Sequence, residues 1–125
     1  VRALVEMAIE NAVEGCVRET FGALVATYQA ETAADPNLRA AMGKIAADET
    51  THAGLAWRVA AWIDQRLTAA ERARVAEARR EAIEALQREA AVASLSREVR
   101  RFTGFPDPAT AETLVARMRG ALWAA

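Results

Sequence analysis

The sequence predicts an all-α protein: an up-down bundle of three long helices and a short C-terminal one. Three observations carry this. Alanine, the strongest helix former, fills 32 of the 125 positions. The breakers are scarce, with 6 glycines and 3 prolines, and no proline lies between Asn37 and Thr103. Apolar residues make up 53% of the chain and recur at helical spacing. Alanine also lets helix backbones approach one another. This composition excludes a β-sandwich, a disulfide scaffold and a disordered tail. A length of 125 residues suits one domain, 1–125, with a real core.

Each element follows from its punctuation. The first helix is expected from about Ala3 to Glu31, ending ahead of Thr32-Ala33-Ala34-Asp35-Pro36. There Asp35 is a good N-cap and Pro36 a natural first-turn residue. The second helix runs from Pro36 to about Arg66. Thr68-Ala69-Ala70-Glu71 then reads as a capping box opening a third helix, expected to reach about Ser94 and to fray on through Arg101. Thr103-Gly104-Phe105-Pro106-Asp107-Pro108 is the one true loop, and a short last helix spans Pro108 to Trp123.

Charge narrows the partners. Sixteen basic and 17 acidic residues leave a net charge of -1, which gives no electrostatic footprint for nucleic acid. No apolar run approaches the roughly 20 residues that cross a membrane, and no signal peptide is evident. Cys16 is the one cysteine, which cannot form an internal disulfide and favours a reducing, cytoplasmic setting. The opening Val1-Arg2-Ala3-Leu4 has no Met and is already helical in rhythm, so a longer or processed polypeptide is expected, with room for a further domain.

At about 100° per residue, Leu38, Met42, Ile45, Glu49, His52, Ala56 and Ile63 share one face of the second helix, while Lys44, Thr51, Arg58 and Gln65 lie opposite. Glu49 and His52 thus fall in the middle of an apolar stripe. Glu49-Thr50-Thr51-His52 is a Glu-x-x-His pair, whose carboxylate and imidazole reach one metal ion from a single helical face. A buried Glu–His hydrogen-bonded pair is the metal-free alternative. On the first helix Glu19 lies among Ala12, Cys16, Ala23 and Ala26 and matches the depth of Glu49 in an antiparallel hairpin; Glu14 lies beside Asn11 and Arg18. On the third helix Val75, Arg79, Ala82, Leu86, Glu89 and Ala93 repeat at heptad spacing. Glu89 reaches the depth of Glu49 as a further ligand, and Arg79 is placed to neutralise a buried carboxylate, unless that helix is only half buried and both are solvated.

With Glu19 (or Glu14), the turn Asp35-Pro36-Asn37-Leu38-Arg39 and the segment Asp48-Glu49-Thr50-Thr51-His52-Ala53, residues 3–66 resemble the ferritin-like superfamily. Phe21, seven residues after Glu14, holds the aromatic place common in that family and keeps Glu14 in contention. The resemblance implies a carboxylate and histidine site for iron, or alternatively manganese, with oxidase, ferroxidase or iron-handling chemistry. It also marks a departure. A full di-metal site there takes a Glu and a Glu-x-x-His from each half of the bundle, yet His52 is the only histidine. Either two chains pair in a homodimer, as the encapsulated ferritins do at a Glu interval like that from Glu19 to Glu49, or one metal binds through Glu19, Glu49, His52 and Glu89, or the bundle is degenerate and serves as a structural or interaction domain.

Other features read as structure. Trp57 and Trp62 are expected to pack on a neighbouring helix or subunit, and Trp123 to cap the core. Gly15 and Gly22 with Ala8 form a smooth stripe for close helix contact, and Cys16 is a small buried residue rather than a soft ligand.

Overall fold

The computed structural model describes residues 1–92 and 95–123. Every regular element among them is helical: α1 (Leu4–Glu10), π-helical turns over Asn11–Glu19, α2 (Thr20–Thr32), α3 (Pro36–Asp64), α4 (Ala69–Val92), α5 (Arg97–Thr103), α6 (Pro108–Met118) and a second π-helical stretch, Arg119–Trp123. The backbone stays right-handed helical through both junctions of the first stretch, at Glu10–Asn11 and Glu19–Thr20, so α1, the π turns and α2 form one long first helix.

The punctuation works as the sequence implies. Asp35 Oδ2 accepts the Leu38 amide at 2.8 Å, with Pro36 following the cap. Thr68 Oγ1 accepts the Glu71 amide at 3.1 Å, and Glu71 returns the favour by accepting the Thr68 amide at 2.8 Å. Ser96 and Asp107 cap α5 and α6 in the same manner. The expected fraying beyond the third helix is instead a separate capped helix, α5. The expected end at Ser94 and the core position at Ala93 lie outside the described residues.

The long first helix is the hub. α2 and the π turns pack along α3 on one side, whereas α1 and the π turns meet α4 on the other, and α4 also carries α6. Although the turn 65–68 joins α3 to α4, those two helices barely touch and part beyond it. The core accordingly lies in two pieces. Val17, Ala82, Ile83, Leu86, Ala111, Val115 and Trp123 form the larger one, with Phe21 and Trp57 packed against it; Val5, Ala8, Ile63 and Leu67 form the other near the α3–α4 turn. Trp123 closes the first by donating from Nε1 to the Cys16 carbonyl at 2.8 Å.

A latch joins the turn between α2 and α3 to the end of α5. Ala34 donates to the Arg101 carbonyl at 2.9 Å, and Gln29 Nε2 to that of Thr103 at 3.1 Å. Gly104, at φ 69°, ends α5 in the left-handed region, and a Cβ there would lie 2.5 Å from the Ala33 nitrogen. Only glycine satisfies both demands.

Candidate metal-binding face

The apolar stripe read from the second helix is not its buried face. On α3 the buried residues are Ala46, Ala53, Ala56 and Ile63. Of the predicted stripe only Ala56 and Ile63 are buried; Ile45 is 45% exposed, His52 is exposed, and Leu38, Met42 and Glu49 are half-buried. The placing of Glu49 and His52 in mid-core is therefore corrected: the pair lies along the edge of the packed face. The physical reason is that small alanines, not the bulky aliphatics, take the close contact with the first helix. Lys44, Thr51, Arg58 and Gln65 are exposed, as expected of the opposite face.

Across from this edge stand the π-helical turns. Gly15 allows the closest approach, because a Cβ built there would sit 2.4 Å from the Ala56 Cβ. Asn11 Nδ2 donates to the Ala56 carbonyl at 2.9 Å, and the Cys16 thiol lies 3.7 Å from the same oxygen. Within these turns Thr20 Oγ1 donates to the Gly15 carbonyl at 3.2 Å. Gly22, by contrast, has open space where its Cβ would be, so of the expected smooth stripe only Gly15 and the buried Ala8 are in close contact. Cys16 is fully buried, and burial pushes its thiol pKa up, which agrees with a packing role.

Glu19, half-buried, and His52 line one surface depression of about 370 Å3 together with Asn11, Leu55, Ala56 and Val59. An adjoining depression of about 360 Å3 holds Glu14 and Glu10 and shares Asn11, Glu19 and Val59 with the first. Glu14 is exposed on that floor. Glu49 lies one helical turn before His52 on α3.

Glu89 is placed elsewhere. It is exposed and forms a two-pronged pair with Arg18, at 3.0 and 2.9 Å, and this guanidinium holds its carboxyl below the usual carboxylate range. Its two oxygens are already committed to Arg18. Arg79 is half-buried and has no salt bridge among the described residues, so its expected carboxylate partner is absent there.

Among the described residues, no three of His, Cys, Asp or Glu gather into a group able to hold a metal ion within one chain. One chain therefore does not fit a complete site, and the four-ligand mononuclear arrangement through Glu89 has no geometric support. Asn11 is the participant the sequence reading passed over. Its poor helix propensity in the interior of a long helix was the available signal. No family model, curated protein or solved structure matches the chain.

Proposed function

We propose that this chain is a ferritin-like bundle that supplies half of a metal site from Glu19, Glu49 and His52, with Glu14 at its edge, and that a second copy supplies the other half. The main support is the depression shared by Glu19 and His52 on two helices held together at Gly15 and Ala56. Carboxylate oxygens and an imidazole nitrogen are the donor set that iron and manganese accept. Bound there, such a metal would supply oxidase, ferroxidase or iron-handling chemistry.

The surroundings suit a homodimer. Apolar Ile45, Leu55 and Trp62 on α3 and Met7 on α1 are each between 45% and 53% exposed, a density unusual for a face meant for water. A two-fold partner set on this face would bring a second Glu-x-x-His toward the first, as an isologous contact requires.

Metal content per chain, measured with molar mass by light scattering on the same sample, tests this. A dimer with metal is expected, and Glu49→Ala and His52→Ala each abolish uptake while the bundle stays folded, since neither side chain is in the core. Normal metal binding by either variant overturns the assignment.

A second reading has one observation in its favour: the lack of a three-ligand group within one chain among the described residues. In it the bundle carries no metal and serves as a structural or interaction domain. It requires the same melting temperature with Fe(II) and with EDTA, and a chelator-induced drop rules it out.

A further inference from the structure

The wedge left where α3 and α4 part is a cavity of about 240 Å3, with walls from Ala8, Ala12, Ala60, Ile63 and Val75. These walls are aliphatic and come from three different helices, α1, α3 and α4. One cation faces into it. Arg79 of α4 has its Nε buried with no hydrogen-bond partner, and among the described residues its guanidinium makes no hydrogen bond or ion pair at all. Its one neighbour of note is the Trp57 ring, whose centroid lies 5.9 Å from Arg79 Cζ, the outer limit of a cation–π contact.

That state is costly for an arginine. Arg18 and Arg80 both hold carboxylates, whereas Arg79 is drawn out of water at Nε and has only the distant Trp57 ring in return. Its unscreened charge reaches Cys16, where it partly offsets the upward push of burial on the thiol. The buried Nε is out of reach of a ligand, but the two Nη groups of a guanidinium also present a parallel fork that matches the two oxygens of a carboxylate. The cavity beyond is mainly apolar and, at about 240 Å3, smaller than the roughly 300–1,000 Å3 of most ligand pockets, so it suits only a small molecule. Asp64, the one carboxylate on the lining, is exposed and lies next to the α3–α4 turn, whereas Arg79 lies at the level of Trp57.

We infer that this cavity binds a small carboxylate with a short apolar body, its two oxygens on the Arg79 fork and its hydrocarbon between α1, α3 and α4. The inference stands apart from the metal reading, since it uses other residues and another face of the first helix. It gives the molecule a second site, specific for an anion of the medium-chain fatty-acid class.

Octanoate is the probe, followed by calorimetric titration and by the emission of Trp57 at the cavity wall, with octylammonium as the matched cation. Expected are saturable binding of one octanoate per chain, no displacement by octylammonium, and a loss of affinity of about tenfold or more in Arg79→Gln. Ala60→Leu, which fills the cavity and leaves Arg79 in place, should also abolish binding, so the outcome does not depend on one variant folding. Absence of saturable binding at millimolar octanoate overturns the inference. So does equal binding of octylammonium, or unchanged affinity in either folded variant.

Discussion

Gly15→Ala tests the closest contact in the molecule. The new methyl carbon would stand 2.4 Å from the Ala56 Cβ and 3.2 Å from Asn11 Oδ1, with the Ala56 Cα at 3.7 Å. Carbon atoms settle at about 3.5–4.0 Å, so the two helices must separate by about 1 Å or more. Neither neighbour is the far end of a flexible chain: one is a methyl fixed to the α3 backbone, and the other is an amide already donating to the Ala56 carbonyl. Overpacking of this kind costs about 1–3 kcal/mol. Replacing glycine by alanine inside a helix returns about 1 kcal/mol. The net expectation is a loss of about 0–2 kcal/mol, read as a fall in melting temperature of roughly 2–8 °C per kcal/mol for a domain of this size. The double variant Gly15→Ala, Ala56→Gly moves the methyl from one helix to the other and relieves the clash, giving a coupling of about 1–3 kcal/mol in a double-mutant cycle. Urea and thermal unfolding of the four proteins measure it. A coupling near zero in this cycle would refute the contact, and with it the placing of Glu19 beside His52.

Trp123→Phe keeps the packing but leaves the buried Cys16 carbonyl without its 2.8 Å donor, and should cost about 1–3 kcal/mol by urea unfolding. Glu89→Gln should cost at most about 1 kcal/mol, because both partners of the Arg18 pair are well exposed. The same pair sets a pH dependence. Since Arg18 lowers the Glu89 pKa in the folded state, its contribution is complete above the unfolded carboxylate range and is lost as pH falls through the depressed value. A melting curve series between about pH 6 and pH 2 should therefore fall less steeply in Glu89→Gln than in the parent. Asp35→Ala removes the cap on Leu38 and should lower stability by about 1 kcal/mol in the same assay.

What the sequence made legible was local. The Asp35 cap, the Thr68–Glu71 box and the loop before Pro108 are hydrogen-bonding and dihedral preferences confined to a few residues, and all three stand where the chain spells them, whereas the break ahead of α5 was not foreseen. The phase of α3 was not legible, because in an alanine-rich helix the bulky aliphatics draw attention to the wrong side. Ala46, Ala53 and Ala56 allow close approach and take the core, while Ile45, Leu55 and Trp62 are left outside. The first helix defeats a fixed 100° step for another reason, since π turns rotate less per residue and shift everything after Glu10. Glu89 shows the limit for charges. Its partner Arg18 lies 71 residues away, and no pattern within α4 points to it.

The π-helical turns also give the chain an uneven tolerance to changes in length. An i→i+5 turn holds one residue more than the α-helical turn it replaces, so losing a single residue between Asn11 and Glu19 can be absorbed by tightening that turn. Leu4–Glu10 and Thr20–Thr32 then keep their mutual phase, and α2 stays seated on α3. The same deletion in the middle of α3 has no slack to draw on. It rotates every later residue of that helix by about 100° and carries Ala56 and Ile63 out of the core. Insertions and deletions scanned along the chain would thus find one permissive window in the long first helix, lying at the proposed ligand-bearing segment itself.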